Sequence, residues 1–91
     1  MHKKSKWTVY IIKCGNGNLY TGITKDLKRR LIEHNSGRGA KYTRAFGVEK
    51  LVYKEIRKSM GSALRREAEI KGWNREEKLV LIRSKNTKQY I

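Results

Sequence analysis

The amino-acid pattern predicts an α+β fold: a small three-stranded β-sheet with helices packed on it, in the order β-β-α-β-α-α. Three observations predict it. Two β-branched and aromatic runs flank Gly15-Asn16-Gly17-Asn18, and Asn-Gly between such runs is a strong hairpin signal. A third run of that kind follows a segment with helical periodicity. Two further helical segments, each opened by a capping residue, complete the pattern. Strands joined by a tight turn are antiparallel, and helices laid on such a sheet bury its apolar faces.

Residues Trp7 to Cys14 (WTVYIIKC) form the first predicted strand and Leu19 to Thr24 (LYTGIT) its return. Thr24 or Asp26 can cap a helix running to about Asn35, and Gly37 stands where a helix stops. Ser36 to Gly47 is expected to be a glycine-rich, positively charged loop, and Val48 to Ile56 a third strand. Ser59 can cap a second helix from Met60 to about Trp73. Asn74 opens a third helix, with Glu77 three residues on as in a capping box, and this helix carries Leu79, Val80 and Ile82. The polar, basic tail from Ser84 to Ile91 is expected to fray. The expectation is thus a single domain over residues 1–91, with an ordered core at about 7–83 between basic termini.

A chain of 91 residues makes one domain at most. It is 37% hydrophobic and 34% charged, so one modest core should lie under a heavily charged surface. There are 23 Lys+Arg against 8 Asp+Glu, a formal charge of +15. Such an excess repels itself in the folded state, and a polyanion is its usual counterpart. Lys and Arg contacts to phosphate release counterions and supply most non-specific nucleic-acid affinity. An anionic membrane or an acidic protein partner are the alternatives. No apolar run approaches the roughly 18 residues that span a bilayer. The basic start, Met1 to Lys6, leads into an alternating segment rather than a signal-peptide core, so a cytoplasmic location is expected. Cys14 is the one cysteine, which excludes an internal disulfide. With only His2 and His34 beside it, a closed Cys/His zinc site is excluded too.

Helical wheels place polar residues on apolar stripes. Leu27, Arg30, Leu31 and His34 share one stripe, which should face the sheet and draw Arg30 and His34 inward. Lys28, Arg29 and Glu33 then face water. Met60, Ala63, Leu64, Glu67 and Ile70 share another, with Glu67 at its centre and Glu69 on the opposite side. A buried guanidinium needs an anion, and a carboxylate among apolar groups is paired, protonated or metal-bound. Two alternatives stand on geometry alone: a structural Arg30–Glu67 ion pair across the core, or a functional site.

The spacing of several residues adds to this. Thr8-Val9-Tyr10 is followed by Tyr20-Thr21-Gly22, with the two tyrosines ten residues apart; Arg30 comes eight residues after Gly22, and His34 four after that. Glu67 lies downstream within Ala63 to Lys71. This order resembles the GIY-YIG nuclease superfamily over about Trp7 to Ile82. The short length and the stretch from Gly37 to Thr43 look most like the small bacterial YhbQ/YazA group, which is similar to the catalytic domains of SLX-type structure-specific nucleases. UvrC and the phage homing endonucleases are more distant relatives. Thr8 and Thr21 stand where the family name has Gly and Ile. Both look like structural positions.

The resemblance implies a metal-dependent DNA endonuclease that hydrolyses phosphodiester bonds, with branched or flap structures as candidate substrates and DNA repair or recombination as the setting. Glu67 would bind one Mg²⁺ or Mn²⁺, and Arg30 would clamp the non-bridging phosphate oxygens. Tyr10 would be the general base or the relay to it, its pKa lowered from about 10 by nearby positive charge. Tyr20 and His34 would orient water and phosphate or share the proton, and Gly22 belongs to the structural motif. Some members use a downstream Asn. Asn74 is the nearby candidate, and its first role is a helix cap.

Arg38, Lys41, Tyr42 and Arg44 supply a basic and aromatic loop suited to a nucleic-acid backbone. Phe46 belongs to the same loop, with a return to the core as the alternative. Trp7 and Trp73 are assigned to packing and Cys14 to a small buried hydrophobe. A shared active site places one demand on the hairpin. An unbulged two-residue turn would put Tyr10 and Tyr20 on opposite faces, whereas a loop of Gly15-Asn16-Gly17 with Gly17 left-handed puts both on one face. Two other functions fit the same charge: a module that grips DNA or RNA without cutting, and a catalytic subunit that needs a protein partner.

Overall fold

The computed structural model describes residues 6–39 and 41–88, without the side chains of 41–43 and 85–88. Three antiparallel strands form one sheet: β1 (Trp7–Cys14) lies between β2 (Leu19–Thr24) and β3 (Val48–Arg57). The central strand is the most apolar, and Val9, Tyr10, Ile11 and Ile12 are all buried because helices cover both faces of it. The β1–β2 hairpin closes through the three-residue loop. Cys14 N–H donates to Asn18 O at 2.8 Å, Gly17 N–H donates to Cys14 O at 2.8 Å, and Gly17 has φ +89°. Gly17 takes that left-handed conformation without a Cβ penalty. Tyr10 therefore pairs with Gly22 and Ile12 with Tyr20, so both tyrosines share a face.

That alternation builds two cores. On one face Val9, Ile11 and Tyr53 pack with Ala63 and Ile70 of α3 (Met60–Lys71) and Ile82 of α4 (Arg75–Lys88), with Trp7 and Trp73 at the margin. On the other, Tyr10, Ile12 and Cys14 lie against Leu27 and Leu31 of α1 (Leu27–Asn35), with Tyr20, Val48 and Leu51 alongside. Burial pushes the Cys14 thiol pKa up, as suits an inert packing residue. Asp26, not Thr24, caps α1 by accepting Arg29 N–H at 3.1 Å; Thr24 Oγ1 accepts Asp26 N–H instead. Ser59 caps α3 by accepting Ser62 N–H at 3.1 Å.

Three features depart from the sequence expectation. The loop over 36–47 contains a fourth helix, α2 (Lys41–Phe46). Six residues are too few to show a helical period, and the segment holds no proline that would break one. Its end docks on the hairpin, where Gly15 N–H donates to Phe46 O at 3.1 Å and Gly47 O at 3.2 Å, leaving the Phe46 side chain 46% exposed instead of in the core. The expected frayed tail is helical as far as Lys88, since polarity alone does not stop a helix that meets no Gly or Pro. Finally, the α3 stripe is half covered: Ala63 and Ile70 are fully buried, but Met60 is 49% and Leu64 44% exposed.

Asn74 and Glu77 form the reciprocal capping box, Glu77 N–H to Asn74 Oδ1 and Asn74 N–H to Glu77 Oε1, both at 2.9 Å. Asn74→Ala is expected to cost about 1 kcal/mol in urea unfolding, with Asn74→Asp retaining most of the stability.

Candidate active site

The hairpin register sets the first half of the site. Tyr10 and Tyr20 rise from the same face with ring centroids 6.4 Å apart. Directly opposite Tyr10 is Gly22, and a Cβ there would lie 2.6 Å from the Tyr10 hydroxyl oxygen and 3.2 Å from the Tyr20 ring. The missing side chain is the space into which the two phenols lean. The helix α1 supplies the second half. Its inward stripe carries Leu27 and Leu31 onto the sheet and brings His34, 1% exposed, to the tyrosines. Tyr10 Oη and His34 Nε2 are 3.0 Å apart, and the imidazole meets the Tyr10 and Tyr20 rings edge-on at 5.9 and 5.5 Å. The loop backbone at Gly39 lies against the His34 ring.

Arg30, one turn before His34, has its guanidinium beside the Tyr10 hydroxyl and donates to Glu33 Oε1 at 3.0 Å. Those contacts raise the Arg30 pKa, so its charge is fixed. Burial raises the Tyr10 pKa, and the adjacent Arg30 only partly offsets this. The lowered Tyr10 expected from sequence is therefore not found: desolvation exceeds the pull of one cation. Burial also lowers the His34 pKa, and the Arg30 charge lowers it further. His34 is thus neutral at pH 7. With its proton on Nδ1, the ring accepts the Tyr10 O–H at Nε2.

Glu67 comes from α3, which packs on β1 and β2. Its side chain is 18% exposed and pairs with Lys71 Nζ at 3.1 Å, one turn on. It is close enough to Tyr10 to raise the phenol pKa. Arg30 and Glu67 thus each hold a partner on their own helix, Glu33 and Lys71, rather than forming the ion pair across the core. No group of three His, Cys, Asp or Glu that could hold a metal occurs among the described residues. A single, partly open carboxylate suits Mg²⁺ or Mn²⁺, which keep several waters and bind through one or two carboxylates plus substrate phosphates. Glu67 fits a cation that arrives with its phosphate, not a resident ion in a protein cage.

Tyr10, Tyr20, Arg30 and His34 are therefore brought together, with Glu67 within electrostatic reach. Arg38 and Arg44 are exposed on the segment that follows α1. Lys41 and Tyr42 lie on α2, and their side chains fall outside the described residues. Asn74 is engaged in its cap. Glu33 is the residue that wheel reasoning set in water. It turns back to hold Arg29 at 3.4 Å and Arg30 at 3.0 Å, contacts that its i,i+4 and i,i+3 spacing could have signalled.

Two outcomes follow from this geometry. Gly22→Ala should force the tyrosines apart and cost about 1–3 kcal/mol in denaturant unfolding, as overpacking does. Acid should also weaken the fold through His34. The unfolded ring takes up a proton near pH 6.5, while the buried ring resists until lower pH, so the unfolded state binds more protons in that window. Stability should fall as pH drops through about 6.5, and His34→Gln should flatten this slope in urea midpoints measured between about pH 7 and 5. Glu33 and Glu55, both held below the usual carboxylate value of 4.5, add losses only at more acidic pH.

The family model for the GIY-YIG catalytic domain matches residues 6–80. A UPF0213 protein of Staphylococcus saprophyticus is 49% identical over 77 residues, covering 85% of this chain and 94% of the relative. A UPF0213 protein of Staphylococcus aureus is 48% identical over the same shares. The solution NMR structure of a UPF0213 protein from Bacillus halodurans is 42% identical, with a TM-score of 0.58 over 88% of this chain and 85% of that one. With a match of this extent, and with paired tyrosines on one face of a three-stranded antiparallel sheet, the chain belongs to the GIY-YIG family.

Proposed function

We propose that the protein is a metal-dependent endonuclease that hydrolyses phosphodiester bonds in DNA. The observation that carries this is the Tyr10–His34 hydrogen bond: a phenol buried against a neutral imidazole, with a fixed guanidinium beside the hydroxyl. The arrangement lies within electrostatic reach of the Glu67 carboxylate. It is what water activation beside a phosphate requires. The charge of +15 supports a polyanionic substrate.

In this mechanism Arg30 binds the non-bridging oxygens and offsets the charge that develops on them. The attacking water gives its proton to the Tyr10 oxygen as the Tyr10 proton passes to His34 Nε2. The phenol therefore need not ionise beforehand, which answers its raised pKa. The new bond joins the water oxygen to phosphorus, the bond to the 3′ oxygen breaks, and the departing 3′ oxygen takes a proton from solvent water. Tyr20, edge-on to His34, orients the water and the ring. Glu67 would release Lys71 to hold a Mg²⁺ or Mn²⁺ ion, which would polarise the phosphate and stabilise the leaving oxygen.

A second reading, a catalytic subunit that cuts only with a protein partner, draws on Met60 and Leu64. They are exposed on the same face of α3 as Glu67, two turns and one turn before it.

The test is cleavage of labelled single-stranded, duplex and branched DNA at low salt with Mg²⁺, Mn²⁺ or EDTA. Glu67→Gln and Arg30→Ala should each lose at least about a hundredfold in rate, and Tyr10→Phe about 10²–10⁴-fold. Glu67→Gln cutting at the wild-type rate would overturn the proposal. Tight, salt-sensitive binding without cutting in any metal would favour the binding module, and cleavage restored by a co-purifying protein the partnered subunit.

A further inference from the structure

A cleft of about 300 Å³ opens where β2 turns into α1, and Arg30 forms one of its walls. Its apolar lining is Ile23 and the half-buried indole of Trp7. Its rim is cationic. Lys25 Nζ sits over the Trp7 ring, 5.8 Å from its centroid, a cation–π contact that a base stacking on the indole would replace. Arg29, 74% exposed, and Arg30 complete the rim. The acids there are occupied: Asp26 caps α1, and Glu33 holds both arginines. An indole and an aliphatic side chain beside three cations match a base joined to its phosphate. The volume is at the small end of ligand pockets, roughly 300–1,000 Å³.

We propose that this cleft is the subsite for one unpaired nucleotide next to the scissile phosphate, its base against Trp7 and Ile23 and its own phosphate on Lys25 and Arg29. The inference rests on the nuclease reading, because Arg30 is the wall shared with the candidate active site. A paired base is stacked on its neighbours and cannot enter; a splayed base in a flap or single strand can. The subsite therefore selects nucleic acid that is unpaired beside the cut, and it gives Trp7 a role beyond packing.

Trp73→Phe leaves Trp7 as the remaining tryptophan and so as the reporter. In EDTA, a flap duplex should quench Trp7 emission, whereas a fully paired duplex should bind without quenching. An abasic unit at the unpaired position nearest the junction should abolish the quench and weaken binding about tenfold. Trp7→Leu should weaken flap binding by a similar factor and leave duplex binding unchanged; the abasic arm gives the same information on protein that keeps Trp7. Equal quenching by flap and paired duplex, or an abasic flap that binds and quenches fully, overturns the proposal. Cleavage by the same protein in Mg²⁺ or Mn²⁺ separates the two claims. Base-dependent quenching without cleavage upholds the subsite and overturns the nuclease, whereas cleavage without quenching overturns the subsite alone.

Discussion

The left-handed turn at Gly17 fixes the registration on which the site depends. With φ at +89° it lets three residues, not two, close the β1–β2 hairpin, and Tyr10 then pairs with Gly22. Shortening the loop by one residue would move every β2 side chain to the opposite face. Tyr20 would leave His34, and Gly22 would no longer leave room for the Tyr10 phenol. The same parity places Leu19 and Ile23 in the α3 and α4 core. One backbone conformation thus decides both which residues stabilise the sheet and which can do chemistry on it.

The sheet separates two kinds of polar cluster. On the α3 face, Glu55 accepts from Tyr53, from Arg57 at 2.7 Å and from Arg66 at 3.1 Å. Burial opposes its charge, but these three donors together hold the carboxyl below its usual range. Burial and Glu55 push the Tyr53 phenol up to about 12. Arg66 also bonds Glu69 at 2.9 Å and lies 5.4 Å from the Trp73 ring. Every strong charge in that network has an opposite charge within reach, as a structural network should. The α1 face differs. Tyr10 and His34 are both kept neutral, and the fixed cation beside them, Arg30, shares its one carboxylate, Glu33, with Arg29. In the proposed function, the side that lacks full compensation is the side that takes the phosphate.

Much of this was legible because it follows from periods and caps. The period of two predicted the buried central strand, and the need for a shared tyrosine face predicted the bulged loop. The period near 3.6 predicted that His34 and Arg30 turn inward, and His34 is indeed 1% exposed. The Asn74–Glu77 box was visible as a four-residue pattern. What escaped was decided by tertiary context. α2 spans six residues, less than two turns, so no stripe marks it. Met60 and Leu64 share the period of Ala63 and Ile70, but α3 presses only the latter pair into the sheet. Periodicity ranks the faces of a helix and cannot say how wide a strip its neighbour covers. The raised Tyr10 pKa was misjudged for a related reason: the sequence shows nearby cations but not the dryness that outweighs them.

That dryness bears on how such a site can work at neutral pH. A phenol lowered far enough to ionise would need a stronger cation than Arg30 alone supplies. A buried, neutral His34 at 3.0 Å removes the requirement, because a proton can leave Tyr10 as another arrives and no isolated phenolate forms. The positive charge produced on His34 lies near Arg30, which disfavours it, and near Glu33, which favours it. Glu33 therefore has two tasks, holding Arg30 in place and tempering its repulsion of a protonated His34. In the proposed mechanism, an acid that bonds neither Tyr10 nor His34 would thereby influence how readily the buried pair exchanges its proton.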